Sequence, residues 1–194
     1  MKNSNKELNS TIKPDFSKYK SVIAEIMKIS YPTEHKAILT DKLRKYAFKL
    51  SEKLISNSLT VGHTEYSVVA KINGHGYEYI NPEIPDNFRI IAIDDEYGAV
   101  ADELLSFIKN EAVSRHIDII CCYNPFLQYS LERIIFTNQK IALCKSSWLC
   151  KIENADRTIR DKRFLDESII AKHIQILRFN KKIITELLNS LNTL

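Results

Sequence analysis

The sequence predicts an α/β fold: a small, mostly parallel sheet flanked by helices and preceded by a helical hairpin. Residues 90–93 form a continuous apolar run, typical of a strand that is buried on both faces. Residues 101–112 repeat apolar side chains with the period of a helix. The acidic turn 94–98 joins the two segments, and such strand–turn–helix units open doubly wound domains.

Three further strands are expected to join strand 89–93 in one sheet, with 89–93 inside it; they cover residues 66–72, 117–122 and 140–144. Residues 77–80 form either a short strand or a segment packed beside the sheet. A short helix is expected at 129–135, and residues 145–163 are polar and expected to be irregular. Because helices alternate with strands, we expect right-handed crossovers and a mostly parallel sheet.

The predicted domain organisation has three parts. Residues 1–15 are polar and expected to form a flexible tail. Residues 16–60 form a helical extension, in which the first helix ends at Tyr31-Pro32-Thr33 and the second runs from Thr40 or Asp41 to Leu54. The α/β domain, 61–194, closes with a long helix.

Asp166 is the expected cap of this last helix. Its wide apolar face predicts that Ile174 and Leu177 are buried against the hairpin or the sheet.

Composition excludes several classes of protein. The apolar runs are only a few residues long, which argues against a membrane span, and the N-terminus lacks the apolar core of a secretory signal, so we expect a cytoplasmic protein. The net charge of +4 is weak evidence for nucleic acid, and none is expected as a partner. The four cysteines, which include the adjacent pair Cys121 and Cys122, are interpreted as reduced, buried thiols; a metal site with His116 and a redox role are the alternatives.

Residues 90–97, which contain the acidic turn after the central strand, read Ile-Ile-Ala-Ile-Asp-Asp-Glu-Tyr. This segment resembles the opening of a response-regulator receiver domain, in which an acidic pair at this place holds Mg²⁺. That resemblance also implies a phosphoacceptor Asp at the end of a later strand. Residues 134–141, where it would fall, contain no Asp.

Between His63 and about Leu191 the chain contains an ordered series of motifs. They are Tyr66–Ala70, Gly76, Phe88–Ile93, Tyr123–Phe126, Ser130–Glu132, Ile141–Ser147 and Phe164–Leu188. Their order and spacing resemble the C-terminal half of a bacterial family of tandem P-loop ATPase-like proteins, and the residues before 63 resemble that family's helical linker. The resemblance implies a P-loop NTPase-like, Rossmann-like sheet.

The phosphate-binding loop of this family is degenerate in the chain. A Walker A loop needs Gly-x-x-x-x-Gly-Lys-Ser/Thr, because its glycines, lysine and hydroxyl wrap phosphate and Mg²⁺. Aligned with it, Asp95 replaces the first Gly, Val100 the last Gly, Ala101 the Lys and Asp102 the hydroxyl residue. Phosphate would also be repelled by the carboxylates around the turn. The candidate ligand-binding positions are Asp95, Tyr97, Gly98, Ala101 and Asp102.

These observations favour a non-catalytic, scaffolding or regulatory protein of the bacterial cytosol, with no cofactor or metal and with helical faces open to a protein partner. Tyr123 and Asn124 stand where the family has His-Cys, which also argues against catalysis. The alternatives are an ATP-binding or ATP-hydrolysing protein with a noncanonical loop and Mg²⁺, and a receiver-like Mg²⁺-binding signalling domain. Weaker candidates for ligand contact are a metal cluster in residues 94–96, His75, Trp148, and the pair 146–147.

Overall fold

The computed structural model describes residues 16–55, 62–73, 76–79, 84–127, 129–148 and 150–192. The predicted tail, 1–15, and His75 lie outside these residues. The helices are α1 Phe16–His35, α2 Thr40–Leu54, α3 Ala99–Ser114 and α4 Glu167–Asn192, with a 3-10 turn at Asp161–Phe164. The strands are β1 Thr64–Val68, β2 Ala70–Asn73, β3 Gly76–Tyr79, β4 Arg89–Asp94, β5 Ile119–Tyr123, β6 Leu131–Phe136, β7 Ile141–Ser146 and β8 Arg157–Arg160.

A six-stranded mixed sheet, in the order β1-β5-β6-β7-β4-β8, forms the centre of the fold. β1 pairs in parallel with β5, and β4 pairs in parallel with both β7 and β8. β6 is antiparallel to its neighbours β5 and β7. The α/β class is therefore confirmed, as is the interior position of β4, whose residues 91–93 are buried.

The prediction of a helix at 129–135 is wrong, because residues 131–136 form strand β6. Leu131, Ile134 and Ile135 have helical spacing, but all six residues of β6 are buried between β5 and β7. A short apolar run does not distinguish a helix from a strand, and the neighbouring strands decide. The polar residue Glu132 is tolerated there because it pairs with buried Lys145.

The strand expected at 66–72 is divided in two. β1 pairs with β5 only as far as Val68, opposite Tyr123, where β5 ends and offers no further partner. The chain then leaves the large sheet, and β2 pairs antiparallel with β3 in a separate two-stranded sheet. The short strand expected at 77–80 therefore exists, but it does not belong to the main sheet.

Two further boundaries differ from the prediction. The stretch 145–163, expected to be irregular, contains β8, which forms an edge of the sheet beside β4. Pro32 does not end α1, which continues to His35. Proline removes one helical hydrogen bond but does not always stop a helix, and this additional turn carries Glu34 toward the sheet.

The two N-terminal helices pack against different parts of the fold. α1 packs against α4, whereas α2 packs against α3 and supplies Leu43, Ala47 and Leu50 to the main core. Leu177 on α4 is buried, as predicted, while Ile174 is only half-buried. Asp166 accepts the backbone N–H of Ser168 at 2.9 Å, in agreement with the predicted cap.

The structure bears on two expectations drawn from composition, the state of the cysteines and the absence of a membrane span. Cys121, Cys122 and Cys144 are buried free thiols and Cys150 is partly buried, without a disulfide among them. Within the described residues, no helix has the length and apolarity needed to cross a membrane.

Candidate functional site

The candidate site lies where three parallel strands end, beside the N-terminus of α3. The carboxyl ends of the parallel strands β4, β7 and β8 lie side by side, and this end of the strands is the usual place for ligands in α/β folds. The turn 95–98 connects β4 to α3 across this end. The last turn of α1 and the residues after β8 approach it from either side.

Asp95 fills the N-terminus of α3 with its own carboxylate. Its Oδ1 accepts the backbone N–H groups of Tyr97 at 3.3 Å and Gly98 at 2.9 Å. Its Oδ2 accepts the N–H of Ala101 at 2.7 Å. These first N–H groups have no partner within a helix and bind phosphate in P-loop proteins. In this chain a side chain buried from solvent satisfies them.

Glu34, from α1, adds a second carboxylate to the same helix end. Its Oε2 accepts the N–H of Ala99 at 2.9 Å. Its Oε1 is buried and, among the described residues, has no hydrogen-bond partner. Burial and the nearby charge of Asp95 raise the pKa of Glu34 to about 10, because both disfavour the ionised form.

Asp161 reaches the site from the end of β8. Its Oδ1 accepts the backbone N–H of Lys162 at 2.6 Å. Burial, followed by the charge of Asp95, raises the pKa of Asp161 to about 6. One oxygen each of Glu34, Asp95 and Asp161 lie within 4.8 Å of one another, and we call these three residues the acidic trio.

A second polar network lies on the other side of the turn, around Lys145. The Lys145 ammonium is 3.1 Å from Glu132, 3.3 Å from the Ser130 hydroxyl and 3.6 Å from Asp102. The Ser130 hydroxyl in turn donates to Asp102 at 2.9 Å, and the amide of Asn124 donates to Glu132 at 2.8 Å. All five side chains are buried, so their charges are compensated within the network.

Electrostatics fixes the charge of Lys145. Burial alone would lower its pKa, but the carboxylates of Glu132 and Asp102 outweigh burial and raise it. Burial is also the main reason that the pKa of Asp102 rises to about 7, since the neighbouring ammonium compensates only part of it. Because Lys145 stays protonated, it is not available as a base for Ser130.

Gly98 allows the two networks to meet. Its φ of 96° lies in the left-handed region, which side chains other than glycine rarely adopt. A Cβ at this position would lie 2.6 Å from both Cε and Nζ of Lys145. Gly98 is therefore required by its backbone conformation and by the close approach of Lys145.

The five residues predicted for the site lie on one turn, but they serve different networks. Asp95, Gly98 and Ala101 form the capped helix end, whereas Asp102 belongs to the Lys145 network. Tyr97 is half-buried, and burial raises its pKa to about 12. It lines a small cleft of about 30 Å³ whose walls include Tyr31, Trp148 and Leu177.

The alternative metal cluster in residues 94–96 does not form. Asp94 pairs with Lys151 at 2.7 Å and Glu96 pairs with Lys181 at 2.7 Å, whereas buried Asp95 lies with Glu34 and Asp161. Both pairs lie in an open groove of about 380 Å³. This groove also contains Trp148 and the pair 146–147, the other residues considered for ligand contact.

Sequence reasoning missed Glu34 and Asp161. Glu34 is 65 residues from the backbone N–H that it binds, and it follows a proline that was expected to end its helix. Asp161 follows β8, which was not recognised as a strand. Recognition of β8 as a parallel partner of β4 would have placed Asp161 at the same sheet edge as Asp95.

Comparisons with known proteins identify no relative of this chain. No family model matches it, and neither a curated protein nor a solved structure matches it at a significant level.

Proposed function

We propose that this chain is a non-catalytic protein of the P-loop ATPase-like kind, with a scaffolding or regulatory role in the bacterial cytosol. The observation that carries the proposal is the position of the Asp95 carboxylate. Its three hydrogen bonds take the backbone N–H groups that a phosphate would need. Glu34 takes a fourth, from Ala99.

The charges around the turn support the same proposal. The N-terminus of a helix carries a partial positive charge of about half a unit, which two carboxylates already face. No lysine occupies the Walker A position, where Ala101 stands. Lys145 approaches the turn from β7, but its ammonium is committed to Glu132 and Ser130. A triphosphate would therefore meet carboxylates where P-loop proteins offer lysine and free N–H groups.

A scaffolding role is supported by apolar side chains on the outer faces of α1 and α4. Ile29 is 61% exposed and Phe179 is 63% exposed. Isolated exposed apolar residues are ordinary, but on helices that flank the domain they offer a contact surface to a protein partner. These exposed side chains therefore favour a role in binding another protein.

The receiver-like alternative receives one supporting and one opposing observation. Asp161 brings a third carboxylate to the edge where Asp95 lies, as Mg²⁺ binding would require. The sheet, however, contains the antiparallel sequence β5-β6-β7, whereas receivers of the flavodoxin type have a doubly wound parallel sheet. A cation site therefore has more support than a phosphotransfer domain.

Nucleotide binding is the direct test. Isothermal titration with ATP and GTP, each with and without Mg²⁺, should give no heat of binding up to millimolar nucleotide. Thermal unfolding at a constant Mg²⁺ concentration should show no shift when nucleotide is added, whereas a nucleotide at 100 times its dissociation constant would add about 2.7 kcal/mol of stability.

The contradicting result would be tight Mg·ATP binding that is lost in Gly98→Ala and retained in Glu103→Gln. Glu103 is an exposed carboxylate on α3, so the second variant controls for a change of charge near the turn. That outcome would identify the turn as a working nucleotide site.

A further inference from the structure

We propose that the acidic trio of Glu34, Asp95 and Asp161 binds one hard divalent cation, of the kind of Mg²⁺, Mn²⁺ or Ca²⁺. The proposal is independent of nucleotide binding, since all three ligands come from the chain itself. The site would connect three elements: the last turn of α1, the turn before α3, and the end of β8.

Glu34 provides the main reason to expect a ligand. The residue is completely buried, and its Oε1 has no hydrogen-bond partner among the described residues. A buried polar atom without a partner is costly and calls for an explanation such as an ion. One carboxylate oxygen of Glu34 lies within 4.8 Å of one oxygen each of Asp95 and Asp161, which offer negative charge and no proton donor of their own once ionised.

The other two ligands retain capacity to bind. A carboxylate has about four lone-pair sites, and three backbone N–H groups occupy Asp95. Asp161 accepts the backbone N–H groups of Lys162, through Oδ1, and of Glu96, which leaves about two of its lone-pair sites for a ligand. The trio thus supplies one available oxygen from each residue, and carboxylate oxygens are the ligands that hard divalent cations prefer.

The spacing of the trio agrees with such a cation. The three ligand atoms lie within 4.8 Å of one another. Two oxygens on opposite sides of a cation are separated by about 4.0–4.2 Å for Mg²⁺ and about 4.6–5.2 Å for Ca²⁺, twice their metal–oxygen distances. Asp161 also lines the open groove beside Trp148, which gives the ion a route from solvent and room for water ligands.

Neighbouring charges leave the site in need of a cation. The ammonium of Lys145 influences Asp95, but it is directed at Glu132, Ser130 and Asp102. Lys151 and Lys181 pair with Asp94 and Glu96 at the rim of the groove. The trio therefore gathers three carboxyl groups in a partly buried space, where a divalent ion would replace the proton of Glu34 and offset the charges of the other two groups.

Direct binding of Mn²⁺ tests the proposal. After treatment with chelator, the protein is titrated with Mn²⁺, and the free ion is followed by electron paramagnetic resonance. We expect one Mn²⁺ per chain, displaced by excess Ca²⁺ or Mg²⁺, and a rise in melting temperature with each ion. Glu34→Gln should weaken Mn²⁺ binding by at least about tenfold. Replacing a residue that only hydrogen-bonds to a metal ligand already lowers affinity by about that factor, and replacing a ligand should cost no less.

Two more variants keep the test decisive. Asp161→Asn retains an oxygen for the N–H of Lys162, so it should fold and still lose at least about tenfold in affinity. Glu103→Gln removes an exposed carboxylate from the same end of α3 and should bind Mn²⁺ like the wild type. If Glu34→Gln does not fold, Asp161→Asn and Glu103→Gln carry the comparison.

The proposal is overturned if the wild type binds no Mn²⁺, in which case a proton shared by Glu34 and Asp95 holds the trio together. It is equally overturned if Asp161→Asn and Glu34→Gln bind as the wild type does, since the ion would then lie elsewhere. Because the titration contains no nucleotide, its failure leaves the proposed function untouched, and detection of ATP binding would leave the cation site untouched.

Discussion

Gly98 combines two requirements at a single residue, a left-handed backbone and a close contact with Lys145. Its φ of 96° and the 2.6 Å approach of the lysine side chain to a hypothetical Cβ both exclude larger residues without rearrangement. In the P-loop interpretation this glycine is a remnant of phosphate binding. In the folded chain, the left-handed backbone and the contact with Lys145 are sufficient to explain a glycine at this position.

Gly98→Ala is therefore expected to destabilise the fold. A residue forced into a sparsely populated backbone region costs about 1–3 kcal/mol, and displacement of Lys145 from its carboxylate partners adds to this. Urea unfolding of wild type and variant measures the difference. A variant as stable as the wild type would show that the turn relaxes freely and that Gly98 is not required for packing.

Asp102 predicts a pH dependence of stability. Burial raises its pKa to about 7, from an ordinary value of 3.8, in the field of Lys145, Glu132 and Asp95. Between these two pH values the folded state holds a proton that the unfolded chain has released, so this contribution to stability falls as the pH rises. It is fully present below about pH 4 and lost as the pH passes 7.

The measurement compares the wild type with Asp102→Asn, which cannot titrate. The free energy of unfolding of the wild type relative to the variant should be larger at pH 5 than at pH 8. Acidic groups distant from Asp102 are common to both proteins and cancel in the comparison, whereas Glu132 and Asp95 interact with Asp102 directly. A difference that is the same at both pH values would mean that Asp102 ionises normally despite its burial.

At the scale of elements, α4 has two faces with different roles. Leu177 is completely buried and lines the cleft shared with Met27 and Tyr31 of α1. Phe179, two residues later, is 63% exposed. The helix thus anchors α1 to the domain on one side and leaves an apolar side chain in solvent on the other.

Leu177→Ala should cost about 2–5 kcal/mol of unfolding free energy, because it removes a buried side chain and leaves a cavity. Phe179→Ala serves as the matched control on the same helix, with an expected change within about 0.5 kcal/mol. Denaturant unfolding of both variants is the measurement. A small loss for Leu177→Ala would mean that α4 contributes little to holding the domain together.

Strand β6 shows why elements of this chain are only partly predictable. Residues 131–136 contain Glu132 and Arg133 between apolar residues, a pattern that also suits a short surface helix. Both polar residues are buried in the sheet, where Glu132 meets Lys145 of the adjacent strand. That partner lies 13 positions away in the chain, and its pairing depends on the tertiary fold.

At the scale of the whole molecule, helices α1 to α4 pack in two pairs, and one helix of each pair contributes to the site. α2 and α3 pack together against the sheet, while α1 and α4 form a separate layer that delivers Glu34. The cation proposed for the acidic trio would join these parts, since Glu34 belongs to α1 while Asp95 and Asp161 follow β4 and β8. A metal would therefore couple the packing of the N-terminal helix to the main domain.

The sequence by itself determined the α/β class, the interior strand β4, the helix that follows it, and the absence of a Gly-x-x-x-x-Gly-Lys-Ser/Thr pattern from the turn between them. These features are local: apolar runs, helical periodicity and residue identity within a single turn are properties of neighbouring positions. The long terminal helix and its cap at Asp166 were predictable for the same reason.

Only the tertiary structure decided the mixed topology of the sheet, the division of β1 from β2, and the composition of the site. Parallel or antiparallel pairing depends on distant partners, as β6 shows. Glu34 and Asp161 carry no local signal of their role, because each becomes part of the site only when α1 and β8 pack beside β4. The group of carboxylates at the N-terminus of α3 thus includes two residues that lie about 60 positions before and after Asp95 in the chain.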